Sequence, residues 1–143
     1  MHQPSTYCGA VTAPADAWPG QGLGLPESGR GSLAAPGRRV AALTVDWLAC
    51  SLVSFAFFDY NPVVTLGIFV LEQVLLIATL GGSFGHVLLG MRVHRTVDGA
   101  TPPAPLAALV RAVLVGLFVP ALLPGGDGRQ LHDKAAGTLL LRR

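Results

Sequence analysis

From Val40 onward the chain is dominated by three long apolar stretches, Val40–Phe58, Pro62–Leu80 and Ala104–Pro124, separated by shorter polar segments. Val63–Leu71 and Val74–Leu80 lack the polar face that a helix in water turns to solvent. Each stretch is about 20 residues long, which at about 1.5 Å per helical residue spans a hydrocarbon core of roughly 30 Å. The pattern predicts an all-α membrane protein with about three transmembrane helices. Only Asp59, Tyr60 and Asn61 separate the first two, and Pro62 suits the first turn of a new helix. So short a turn makes them an antiparallel hairpin, with Tyr60 in the interfacial aromatic belt.

The segment before these stretches has a different character. Residues 1–37 hold seven Gly and five Pro with few aliphatic side chains, too little apolar surface to offset the entropy of ordering. The expected organisation is a disordered Gly/Pro-rich tail, 1–37, followed by a transmembrane domain, 38–143. Within the connection Gly81–Pro103, the residues Phe84, Val87, Leu88 and Met91 share one helical face and predict a short amphipathic helix in the interface. Arg92–Val97 then alternates like a strand before an Asp98-Gly99 turn, and Gly137–Arg142 offers a mate for it in a small sheet.

Composition supports the membrane reading. The chain of 143 residues is 51% hydrophobic and 13% charged, against roughly one quarter charged in a soluble domain. The net charge of +2 is spread along the chain, so no nucleic-acid footprint is expected. The partners this composition implies are the lipid bilayer and either further copies of the chain or another membrane protein. Cys8 in the tail and Cys50 in the first stretch are not expected to pair.

Ionisable residues deep in apolar stretches are costly and rarely idle. Asp46, Glu72 and Arg111 are of this kind, one in each stretch, and counting from the hairpin turn places them at similar depth. Two readings stay open. In the first, Asp46 makes a structural link to Arg111 or to a polar group of a neighbouring helix. In the second, Asp46, alone or with Glu72, binds a proton or cation, because two carboxylates in one low-dielectric layer push one pKa up. Arg39, near the membrane edge, is expected to extend its guanidinium to the head groups. The positive-inside rule puts the N-terminus and the Arg92–Arg95 connection in the cytoplasm. Three full spans then place Arg129, Lys134, Arg142 and Arg143 outside, against the same rule. A third stretch broken at Pro120 and Pro124 that re-enters the same side removes the conflict.

Three segments carry a resemblance: Gly37–Trp47, Gly81–Val93 and Asp127–Thr138, in that order along the chain. Together they resemble the RDD family of small bacterial membrane proteins, named for one arginine and two aspartates. The resemblance assigns those roles to Arg39, Asp46 and Asp133, with Arg38 the neighbouring candidate for the first. It implies an integral protein of the bacterial inner membrane. Its biochemical role is undefined, although some members are linked to sodium/proton antiport. The least committal expectation is a structural or accessory membrane protein, and the alternative is a cation/proton exchanger that works as an oligomer.

Enzymatic readings fare worse. Gly81–Gly85 fits the G-x-S-x-G pattern, but an apolar helix rather than a strand precedes Ser83, and no large α/β sheet can surround it. His86, His94 and His132 lack metal-ligand spacing, and Gly125–Gly128 lacks the later ligands of a calcium loop. No catalytic residue, metal or cofactor is expected.

Overall fold

The computed structural model describes residues 18–117 and 129–143. It is mostly helical. Helix α1 (Pro36–Phe58) and helix α2 (Pro62–Leu80) form the antiparallel hairpin, and both are long and apolar enough to cross a membrane. The turn is built as the sequence suggests. Asp59 and Tyr60 take left-handed backbone conformations, the Asn61 side chain accepts from the Val63 and Val64 amides, and Pro62 opens α2.

The buried stripes of this hairpin are narrow and partly polar: Arg39, Ala42, Asp46, Cys50 and Ser54 on α1, and Thr65, Phe69, Gln73 and Ile77 on α2. Ser54 accepts a hydrogen bond from Thr65 at 2.7 Å near the turn, and Trp47 stacks on Phe69. Large apolar side chains point the other way, with Leu48, Leu52, Phe55, Val63 and Leu71 all exposed. Only 22% of the apolar window of each helix is buried, whereas the core helix of a water-soluble domain is mostly buried.

Beyond the hairpin, α3 (Phe84–Leu88) is a shorter form of the amphipathic helix expected, with Gly85 and His86 inward and Phe84, Val87 and Leu88 outward, while Met91, expected on the same face, is buried in the strand that follows. Strand β1 (Met91–Arg95) follows. Helix α4 (Pro105–Gly116) then packs on α2, with Gly116 against Leu66 and Val70. The expected third span runs on to Pro124, and its part over 118–124 lies outside the described residues. After the gap come α5 (Leu131–Ala136) and β2 (Thr138–Arg142). The two strands pair antiparallel, Val93 opposite Leu140, so the alternating Arg92–Val97 segment does find its mate and the chain is not purely helical.

The expected tail departs from expectation at its end. Residues 1–17 lie outside the described residues, but Gly31–Ala34 adds an edge to β2: the Gly31 amide donates to Arg142, the Arg142 amide to Ser32, and the Ala34 amide to Leu140, each at 2.9 Å. Pairing with β2 meets the backbone groups that a Gly-rich, side-chain-poor segment cannot satisfy by packing. Ala34 joins Ala42, Ile77, Met91, Val93, Ala108 and Leu140 in the core below the sheet. The chain segments before α1 and after α5 therefore meet at one end of the hairpin.

Gly85 sets the distance between α3 and α1, because a Cβ there would overlap the backbone of Ala42. Gly85→Ala is expected to destabilise the fold by about 1–3 kcal/mol through overpacking. Thermal unfolding in detergent, followed by circular dichroism, measures the loss; Gly90→Ala, where a Cβ meets open space but φ is +67°, separates steric overlap from backbone strain.

Candidate functional site

Two buried polar clusters occupy the sheet end of the bundle. The first centres on Asp133, in the first turn of α5 and fully buried. Its Oδ2 accepts from Arg39 Nη1 at 2.6 Å, and its Oδ1 is paired with Arg111 Nη1. Arg39 also donates through Nε to the Ala34 carbonyl at 2.8 Å. The Thr138 hydroxyl and His132 Nε2 each lie 3.5 Å from Oδ1. One carboxylate thus joins α1, α4 and α5, and with two guanidiniums on it the cluster carries one positive charge in excess.

One expectation is overturned here. Arg39 does not extend outward from the helix: it is 5% exposed and ion-paired, because α5 brings Asp133 directly over the first turn of α1. Of the two partners expected for Asp46, Arg111 is taken by Asp133, and a polar group of the neighbouring helix, Gln73, serves instead.

Asp46 is the centre of the second cluster. It accepts from Ser83 Oγ at 2.6 Å, the Gly85 amide at 2.5 Å and Gln73 Nε2 at 2.9 Å. A carboxylate met by two donors at the start of α3 and a third from α2 has no need of a guanidinium. Glu72 is half-buried, takes the Phe84 amide at 2.9 Å, and shares Gln73 Nε2 with Asp46 at 3.1 Å. Of the five residues singled out from the sequence, Arg39, Arg111 and Asp133 therefore form one unit, and Asp46 with Glu72 another.

Sequence reasoning missed Ser83, His86 and Gln73. Ser83 and His86 form a reciprocal cap on α3, in which the Ser83 amide donates to His86 Nδ1 at 3.1 Å and the His86 amide to Ser83 Oγ at 3.3 Å. The spacing S-x-x-H is that of a capping box with histidine in place of glutamate, a signal available in the sequence. This wiring also differs from a hydrolase triad. The serine hydroxyl donates directly to the carboxylate at 2.6 Å as well as lying 2.9 Å from His86 Nδ1, and Ser83 is fully buried.

Between the clusters lies a cavity of about 350 Å³, with Arg39, Asp46, Gln73, His86 and Arg111 in its wall. Among the described residues no group of three His, Cys, Asp or Glu side chains is placed to hold a metal ion. Comparison with protein-family models, curated proteins and solved structures finds no match for the chain.

Asp133→Asn leaves two buried guanidiniums facing an amide and is expected to cost about 3–5 kcal/mol, whereas Asp46→Asn, among neutral donors, costs about 1–3 kcal/mol. Paired melting curves in the same detergent check the order. His86 supplies a pH test. Burial, then the charges of Arg111 and Arg39, hold its imidazole well below its ordinary value of 6.5. The unfolded chain takes up this proton as pH falls through 6.5 and the folded chain does not, so stability present above that pH is lost below it. The difference in melting temperature between pH 8 and pH 5 is expected to shrink in His86→Gln.

Proposed function

We propose that the chain is a small integral membrane protein of the RDD type with a structural or accessory role and no catalytic activity of its own. It sits in a bacterial inner membrane with its N-terminus in the cytoplasm. One observation carries the reading: the buried charged residues singled out from the sequence are committed to fixed contacts that hold helices together, Asp133 to two arginines and Asp46 to three donors. Such contacts specify one helix arrangement in a solvent where apolar burial between helices gains little. The exposed leucine, valine and phenylalanine side chains of α1 and α2 suit lipid on most of the hairpin and another copy or another membrane protein on the remainder. The meeting of the segments before α1 and after α5 favours one cytoplasmic face for both. That places Arg30, Arg38, Arg92, Arg95, Arg142 and Arg143 on the same side, in accord with the positive-inside rule.

The second reading, a cation/proton exchanger working as an oligomer, has one observation in its favour. Gln73 Nε2 bridges Asp46 and Glu72, so the two intramembrane carboxylates are hydrogen-bonded through one amide.

Proteoliposomes holding the native chain, Asp46→Asn and Glu72→Gln distinguish the two. The accessory reading expects no sodium- or potassium-dependent proton movement in any of them. Flux in the native chain that disappears in a folded Asp46→Asn variant overturns it in favour of exchange. Orientation is checked with single cysteines at Gly29 and Arg143 in a chain lacking Cys8 and Cys50. Both are expected to react with a membrane-impermeant maleimide from the cytoplasmic side only.

A further inference from the structure

We infer that the cavity beside the Asp133 cluster binds the anionic head group of a membrane lipid, with Arg39 and Arg111 as its ligands. The inference rests on the membrane placement of α1 proposed above. Both arginines line the cavity, and they are 5% and 2% exposed. Among the described residues Arg39 Nη2 and Arg111 Nε have no hydrogen-bond acceptor. Buried guanidinium donors left unmet are costly, and here they belong to side chains that line a space large enough for a phosphate. Asp133 neutralises only one of the two charges. Among the described residues Asp46 is the one carboxylate in the cavity wall, and it is already engaged by three donors. An anion in this space therefore meets an uncompensated positive charge on two arginines of its wall, whose planar forks match phosphate oxygens.

The shape of the opening selects a lipid over a dissolved ion. Val40, Thr44 and Leu48 lie in succession along α1, line the cavity, and are exposed on the outer face of that helix. The mouth therefore opens sideways, between helices, onto the acyl region. Arg39 lies in the first turn of α1, at head-group depth, while Leu43 and Val115 add apolar wall to the same space. A phosphodiester can sit on the arginines with its glycerol and chains leaving through the mouth, as in other basic pockets between helices on a cytoplasmic side.

Trp47 also lines the cavity and reports on its contents. The full chain carrying Trp18→Phe is reconstituted in nanodiscs of phosphatidylcholine doped with brominated phosphatidylglycerol or brominated phosphatidylcholine, and Trp47 fluorescence is followed. Half-quenching is expected at a mole fraction about tenfold lower for the anionic lipid, the scale of one charge-assisted contact. Arg39→Gln and Thr44→Phe, the second narrowing the mouth without touching the ion pairs, are each expected to abolish the preference. If Arg39→Gln does not fold, Thr44→Phe alone decides. Equal quenching by the two lipids, or a preference that survives Thr44→Phe in folded protein, overturns the proposal. Loss of the preference on adding millimolar inorganic phosphate overturns the lipid as ligand and leaves a free anion site. Failure of the native chain to enter nanodiscs at all overturns the membrane reading, and this inference with it.

Discussion

A single carboxylate shared by two guanidiniums holds the sheet end of this molecule together. Asp133 is contributed by a six-residue helix that could not stand alone, and the arginines that receive it belong to α1 and α4. Once α5 is fixed over the start of α1, β2 lies beside β1, and Gly31–Ala34 finds an edge to pair with. The backbone bonds of this small sheet join segments far apart in sequence, and the placement that makes them available is electrostatic. A lone buried pair is weak evidence for stability because its desolvation is expensive. Here the same interaction is better understood as selecting one arrangement of three elements.

The distribution of side chains on the hairpin explains why selection of that kind is needed. Its inward stripes carry Ala42, Asp46, Ser54, Thr65 and Gln73, and its outward faces carry leucine, valine and phenylalanine. In water this is inside out. In lipid it is the expected order, because tails solvate the outer faces as well as a protein core would. Helix contacts then depend on close approach and hydrogen bonds, which Gly85 against Ala42 and Ser54 against Thr65 supply.

Much of this was legible in the sequence. Element type and the hairpin followed from apolar length and the Asn61-Pro62 signal, and alternation in Arg92–Val97 located a strand. The three residues of the family resemblance all proved to be buried polar positions, although only Arg39 and Asp133 are in contact. The missed part has a common cause: pairing between elements far apart in sequence. Depth along the hairpin put Asp46 and Arg111 in one layer, but depth does not fix rotation, and Asp133 lay in a polar segment, where an aspartate suits a turn or a helix cap. Nor could composition reveal that the last residues of a Gly- and Pro-rich leader pair with the C-terminal strand. Its few side chains offer no hydrophobic pattern, and only the edge of β2 gives its amides partners.

Asp46 and Asp133 show how two buried carboxylates in one small bundle come to differ. Asp133 faces full charges and stays in place because withdrawing it would leave two buried guanidiniums without a counter-charge. Asp46 faces a hydroxyl, an amide and a carboxamide, all neutral, and all but Gln73 come from the start of α3. Its environment is set by the position of one five-residue helix, which touches α1 through a glycine. An exchanger built on Asp46 would have to withdraw α3 to uncover the carboxylate, breaking the Ser83 and Gly85 bonds together and the Phe84 bond to Glu72 with them. A structural Asp46 requires α3 to stay. The accessory and transport readings therefore divide on the motion of α3, since both use the same static contacts.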